Sequence, residues 1–392
     1  MIEANLTDNR LLASWTYQSS ELLKIEHESL FHRHWLLVGH ISQFRNPGDY
    51  QTMDVGGERS IVIRGQSGEL RAFHNVCIHR GSRIVESSSG NCSGAIVCPF
   101  HGWTYHLDGR LKSVPRKAEF ANLDIDTESL SSIECEIWCG FVFIRFKSVG
   151  HSLAEELAPV YDLVQPYKLT EVQPLGPASR SIIEANWKTF HDVDNEGYHV
   201  PAAHPSLQEL YGRDYCDDFI GDIPLSTGTV DDYTARQWSV YHYKKILPEY
   251  SYLPHENRRL WMYISLFPNL VMFFYPEKVG FYASLPLAVD RTLIIEQEYG
   301  LLDTSRATQA VRYLSRRIDT LTGEEDKKLV DWMREAVLTS VYPRSSYGRL
   351  ESGVIQFHNR LRAAIPLMRA ETNPPNYMFR EAEQSLNSGP PK

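Results

Sequence analysis

The chain has 392 residues, 42% of them hydrophobic and 23% charged, with a formal net charge of −9. That length allows two or three domains, and an acidic chain with no basic run argues against nucleic acid as a partner. No apolar run reaches the ~18 residues that span a bilayer, the opening MIEANLTDNR lacks the parts of a secretory leader, and six cysteines are too few for a disulfide scaffold, so a reducing cytoplasmic setting is expected.

Residues 1–34 read as an arm. Within it, 19–33 predicts an amphipathic helix, with Leu22, Leu23, Ile25, Leu30 and Phe31 forming an apolar face and Ser19 or Ser20 as cap. This arm is expected to pack on the residues that come after it in the chain. From 35 to 148 the pattern changes to short strands such as HWLLVGHI, SIVIRG and RAFHNV, divided by Gly, Pro and Ser turns, which predicts a small all-β domain. Ile133 to Phe146 reads as buried strand, where Cys135 and Cys139 act as small hydrophobes. Residues 149–180 form a bridge with a short helix and Pro159, Pro166, Pro174 and Pro177. Residues 181–385 are mixed: a helical stretch near 186–199, several strands, a long amphipathic segment from about 305 to 338 and a last helix, ESGVIQFHNRLRAAIP. The end, REAEQSLNSGPPK, reads as a frayed tail.

Two groups of residues carry chemistry. The first is Cys77-Ile78-His79 and Cys98-Pro99-Phe100-His101, each pair one thiol and one imidazole, with eighteen residues between the pairs. Two thiolates and two imidazoles suit a structural zinc or a Rieske [2Fe–2S] cluster, in which two Cys hold one iron and two His the other. Cys-x-His is too short for the usual zinc knuckle, and mixed pairs let each loop serve both irons.

The second group centres on His199 and His204. Five residues apart, they would stand about 140° apart on an ideal helix, but Pro201 between them can break it and turn both rings to one centre. Asp192, Glu196 and His199 fall at i, i+4 and i+7, which points Glu196 with the first histidine. Two His and a carboxylate on one side of Fe(II) leave positions open for dioxygen. The best third ligand is Asp326, because Leu329, Val330 and Met333 place it on the inward stripe of a helix, where an acid needs a partner. Glu324 has Lys328, and Asp331 has Arg334, as solvent-side partners. The competing account makes Asp326 an acid at a helix N-terminus.

The flanks extend these readings. Arg80-Gly81 after the first His, Pro99 within the second pair and Gly102-Trp103 with Tyr105, then NWK, E-x-YH-x4-HP, Phe267-Pro268-Asn269, the EED acid, Gly348-x2-Glu351 and Phe357-His358 resemble the α subunit of Rieske non-haem iron, aromatic-ring-hydroxylating oxygenases. The resemblance covers most of the chain. It implies an α+β fold: an N-terminal all-β Rieske domain and a C-terminal catalytic domain of helix-grip form, an antiparallel sheet wrapped by helices. It implies a [2Fe–2S] cluster on Cys77, His79, Cys98 and His101, and a mononuclear Fe(II) on His199, His204 and Asp326. It also implies a head-to-tail homotrimer in which Glu196 links that iron to a cluster histidine of the next subunit. Many members carry Asp at that position; Glu resembles members that oxidise quaternary ammonium compounds. With no GxGxxG fingerprint here, electrons from NAD(P)H need a separate reductase. The expected activity is O2-dependent mono-oxygenation or N-demethylation of a betaine-like substrate, with aromatics such as Trp261, Tyr263, Phe273 and Tyr282 offering cation–π faces. The alternative is mono- or dioxygenation of an aromatic carboxylate held by Arg258, Arg259 or Arg317. A Rieske electron-transfer protein without oxygenase activity would leave His199, His204 and Asp326 idle.

Overall fold

The computed structural model describes residues 8–387 except 233 and 344. The chain divides into two compact units. One is Phe31–Leu157. The other joins the residues up to Leu30 with those from Ala158 onward.

The Phe31–Leu157 unit is built on a seven-stranded antiparallel sheet in the order Leu36–His40, Phe141–Arg145, Ser132–Trp138, Leu70–His74, Glu58–Arg64, Asp49–Val55 and Ser89–Asn91. A small three-stranded sheet, Ile96–Val97, Thr104–Tyr105 and Leu111–Ser113, carries the second Cys/His pair. The run from Ile133 to Phe146 is not one strand. Cys139 and Gly140 take left-handed φ of 48° and 88° and fold it into a hairpin, so Cys139 lies in a turn rather than a strand. A core of Ile61, Ile63, Phe73, Ile96, Trp103 and Tyr105 packs around Cys77 and Cys98.

The second unit holds an eight-stranded antiparallel sheet. Its main path runs Gln173–Pro174, Arg291–Gly300, Val279–Ala288, Leu270–Phe274, Leu260–Leu266, Ile223–Thr229 and Tyr215–Ile220, and Ser179–Ile183 also pairs with Arg291–Gly300. Strand alternation gives the sheet two faces. One carries Met262, Met272, Phe274 and Phe281, with Tyr167 5.3 Å from Phe274. The other carries Tyr263, Phe273 and Tyr282 and is covered by the helices Trp187–Asp194 and Arg306–Val337. An antiparallel sheet gripped by helices is the fold that the family resemblance implies.

The arm up to Leu30 belongs to this second unit, and its last residues, 31–34, to the other. Its helix, Ser20–Glu26, is capped by Ser19 and continues as a π-type turn to Phe31. Glu26, fully buried, accepts from Lys188 Nζ at 2.5 Å and Trp187 Nε1 at 2.8 Å. Tyr17 donates to Asp192 at 2.6 Å, and His358 Nε2 meets the other oxygen of that carboxylate at 2.7 Å. Of the expected frayed tail, residues 380–387 instead complete the helix Asn376–Asn387, whose buried Phe379 meets Trp15 edge-on; residues 388–392 lie outside the described ones.

Candidate active site: a cluster cradle and a facial metal triad

The two Cys/His pairs sit on two matching turns. The Gly81 N–H donates to the Cys77 carbonyl at 2.9 Å, and the Gly102 N–H donates to the Cys98 carbonyl at 3.0 Å. Both glycines have φ of +73°, a left-handed conformation that a Cβ would strain. This is what the glycine after each pair provides: a tight loop that throws a sulfur inward and an imidazole outward. Cys77 and Cys98 are each 2% exposed, His79 is half-buried and His101 is exposed. The imidazoles meet edge to face at 4.7 Å, and Trp103 stacks on His79 with planes 3° apart. Tyr105 Oη lies 3.0 Å from Cys77 Sγ.

These residues suit the cluster. Burial, then the neighbouring Cys98, pushes the Cys77 thiol up, so a thiolate here needs adjacent positive charge of the kind iron supplies. His79 is held low by burial and by His101 and Arg80, which favours the neutral ring that a metal takes. Its Nδ1 is buried with no hydrogen-bond partner.

The second centre is assembled by three segments. Asn186 caps the helix Trp187–Asp194 through Lys188 N–H, and the chain then turns before the short helix Val200–Ala203 and the helix Pro205–Tyr211. The break therefore falls at 195–199, ahead of Pro201, which opens the next helix. Asp326 comes from the middle of the 32-residue helix Arg306–Val337, not from a helix start. Val330, Leu329 and Met333 on that helix pack with Val193 and Ala185, and this fixes it against the segment bearing the histidines. Each fully buried valine there is worth about 1.5–3 kcal/mol.

His199 Nε2, His204 Nε2 and Asp326 Oδ1 converge. The nitrogens are 2.9 Å apart, and the oxygen is 2.9 Å from His204 and 3.6 Å from His199. Three ligands on one octahedral face at ~2.1 Å bonds stand roughly 3.0 Å apart, so this triangle fits one first-row ion. Burial opposes charge on both rings, yet Asp326 and Glu196 outweigh it and hold His199 protonated up to about 10. The acids demand a positive charge at this point. Asp326 is raised by burial, but His199 and His204 bring it below the ordinary carboxylate value.

The outer nitrogens are held as well. His199 Nδ1 meets Glu196 Oε1 at 2.6 Å, and the His199 backbone N–H donates to Oε2 at 3.1 Å. His204 Nδ1 meets Glu325 Oε2 at 2.8 Å. Such outer carboxylates orient a ligating imidazole and raise its basicity. Glu325 is missed by the sequence reading, which assigns Lys328 to the neighbouring Glu324; Lys328 instead lies 4.8 Å over Trp332. The expected line of Asp192, Glu196 and His199 does not form. The helix ends at Asp194, so Glu196 reaches His199 around a turn, and Asp192 faces Tyr17 and His358. Glu324 and Asp331 do not join the triad, and Asp331 pairs with Lys327.

The sheet beside the triad is acidic and hydroxylated. Tyr282 donates to Asp194 at 2.6 Å, Ser226 donates to Asp217 at 2.6 Å, and Glu296 is the register partner of Tyr282. Burial raises all three carboxyls, Asp194 to about 7. A chain of hydroxyls runs Tyr211, Tyr263 and Tyr275 to Asp319 in steps of 3.2, 2.8 and 3.0 Å. Lys278, fully buried, is spent on Asp319 and Glu298 at 2.7 and 2.6 Å.

A cluster cradle on one unit and a facial triad on a helix-gripped sheet together define a two-centre iron oxygenase. Comparison with known families agrees: residues 34–130 match the Rieske [2Fe-2S] domain and residues 151–367 match the ring hydroxylating alpha subunit catalytic domain, so the chain belongs to the Rieske oxygenase α-subunit family. It is 26% identical over 375 residues to the glycine betaine monooxygenase oxygenase subunit of Chromohalobacter salexigens, covering 87% of this chain and 82% of that one. It is 34% identical over 203 residues to the carnitine monooxygenase oxygenase subunit of Acinetobacter pittii, a match spanning 50% of this chain and 54% of that relative. Among solved structures, the quaternary ammonium Rieske monooxygenase CntA in complex with L-carnitine superposes with a TM-score of 0.75 at 23% identity, over 92% of this chain and 97% of that one. Naphthalene 1,2-dioxygenase from Rhodococcus sp. also superposes with a TM-score of 0.75, at 18% identity over 93% and 95% of the two chains. The protein is thus a Rieske-type non-haem iron oxygenase, a terminal oxygenase component with a [2Fe–2S] cluster and a mononuclear iron. Among the described residues, no helix is long and apolar enough to cross a membrane.

Proposed function

We propose that this chain mono-oxygenates a small quaternary ammonium substrate, releasing an N-methyl group as formaldehyde. The observation that carries the reading is the character of the surface beside the triad: Asp194 at a helix end, Asp217 and Glu296 on the sheet, and several tyrosines, with the buried lysine already paired. Acids and aromatic faces recognise a soft cation. The arginines an aromatic acid would need are engaged elsewhere. Arg258 bonds the Leu253 carbonyl and Glu249, Arg259 bonds the Val230 and Asp231 carbonyls, and Arg317 bonds Ser239. The names of the betaine and carnitine relatives point the same way.

On this reading Cys77, Cys98, His79 and His101 hold the cluster, while His199, His204 and Asp326 hold the iron. When bound, these groups supply one-electron transfer and dioxygen activation. The protein does the rest. Glu196 and Glu325 keep the Nδ1 protons of His199 and His204 in place, so Nε2 of each ring faces the metal. The tyrosine wall places the substrate and excludes water. In the balanced reaction, O2, two electrons and two protons convert a trimethylammonium group to a dimethylamine, formaldehyde, water and a proton. The electrons come from NAD(P)H through a separate reductase. The exposed His101 and the Glu196 beside His199 suit transfer between neighbours of a homotrimer, with Glu196 as the link. Inter-subunit electron transfer is named for the CntA structure.

The test is reductase-coupled O2 uptake with a panel of betaines and aromatic acids. Formaldehyde formed in step with NADH use from a betaine supports the assignment. A cis-diol or phenol formed from a ring substrate, with no betaine turnover, overturns it.

A further inference from the structure

Asp194 is the last residue of the helix Trp187–Asp194, five positions before His199. One oxygen accepts from Tyr282 Oη at 2.6 Å. The other, Oδ2, is buried and has no hydrogen-bond partner. A buried carboxylate oxygen left bare is costly, and native structures keep few of them. The charges that act on it most include the acids Asp326 and Asp217, which disfavour its ionisation, and His199, a metal-facing ring, which favours it. Burial accordingly pushes Asp194 up to about 7. The surroundings are aromatic: Tyr282 carries the hydrogen bond, and Phe190 meets the Tyr282 ring edge-on at 5.9 Å.

We propose that Asp194 is the specificity-determining counter-ion of the substrate's ammonium group, with the Tyr282 and Phe190 rings completing its seat. The assignment rests on the quaternary ammonium reading above and deepens it. N-demethylation requires a methyl carbon on the ammonium nitrogen to reach the metal, so the counter-ion must stand next to the triad. Asp194 does, whereas Asp319 lies two helical turns from Asp326, roughly 10 Å along the axis. The Tyr282 hydrogen bond holds Oδ1 and leaves Oδ2 to face the cation. A quaternary nitrogen donates no hydrogen bond, so a bare carboxylate oxygen flanked by ring faces suits it better than a site built of directional donors.

The experiment measures binding by anaerobic calorimetry on the iron-loaded enzyme, using glycine betaine and 3,3-dimethylbutyrate, its carbon isostere with a neutral tert-butyl group in place of the ammonium. The two ligands share shape and carboxylate and differ only in the charge. Wild type should prefer the ammonium by roughly 10- to 100-fold, the usual range for a partly desolvated charge contact. Asp194→Asn, equal in size, should cut that preference to about threefold or less by weakening the cation alone, with iron content and the cluster's visible spectrum unchanged. Asp194→Ser should show the same loss and covers the case in which Asn folds poorly. A full preference kept in either folded variant overturns the role of Asp194 and leaves the substrate class standing. Wild type that fails to distinguish the two ligands sinks both.

Discussion

Glu26→Gln tests how the arm supports the active site. Glu26 and Lys188 are both fully buried, with 2.5 Å between Oε1 and Nζ. The Tyr17 and Trp187 rings lie 5.4 and 5.5 Å from the same ammonium. The amide keeps the shape and can still accept from Trp187, but leaves Lys188 as an uncompensated charge. Removing one partner of a buried pair costs about 3–5 kcal/mol. For a unit of this size, 1 kcal/mol shifts Tm by roughly 2–4 °C, so the variant should melt about 10 °C lower. Lys188→Met alone should cost a similar amount, because it strands the carboxylate. The double variant, Glu26→Gln with Lys188→Met, should regain more than half of the loss, since no charge is then stranded. Calorimetric melting of the four proteins at fixed iron load measures this. A single variant within 1 kcal/mol of wild type, or a double variant whose loss equals the sum of the singles, would show that the pair is not the fastening between the arm and the helix that leads to His199.

Other outcomes rest on the same geometry. Asp326→Ala or His204→Ala should abolish turnover and lower iron from three atoms per chain to two, with the cluster spectrum intact; loss of the cluster as well would contradict the separation of the two centres. Glu325→Ala should weaken iron at the triad by roughly 10- to 100-fold in chelator competition, and an unchanged affinity would remove it from the metal's support. His191 is buried, and burial lowers it to about 4 from 6.5. Its neutral ring favours the fold above pH 6.5, and that contribution is lost as the pH falls toward 4. At 1.36 kcal/mol per unit this amounts to about 3 kcal/mol. His191→Gln should flatten this part of the stability–pH curve, and an unchanged slope would show that the acid sensitivity arises elsewhere.

The legible features were local or carried by residue type. Each cluster loop is written in a few adjacent residues, and its glycine's left-handed backbone follows from the turn it must make. His199, His204 and Asp326 stood out as rare residues for their places, and the structure brings them together. The misreadings come from helix boundaries and long-range partners. A period of 3.6 carried the helix of Trp187 past Asp194, so Asp192 was aligned with His199 when it faces Tyr17, a residue 175 positions away. The Cys139-Gly140 turn was hidden in an apolar run. Glu325 passed unread beside Glu324 and Asp326, because nothing local marks which of three adjacent acids turns toward His204, 121 positions away. The tail reads as polar because the residue that anchors its helix, Phe379, lies just ahead of it and meets Trp15 from the opposite end of the chain.

Asp319 and Asp326 lie seven residues apart on one continuous helix, so both project in nearly the same direction. The ion's ligand and the terminus of the tyrosine chain are thereby yoked to one rigid rod. Turning or sliding that rod to accommodate a bulkier molecule would also drag a carboxylate off the metal. New substrates must therefore be admitted by exchanging side chains on the facing strands, and variants selected for altered specificity should map to positions such as Tyr263, Phe273 and Tyr282 rather than to the helix itself.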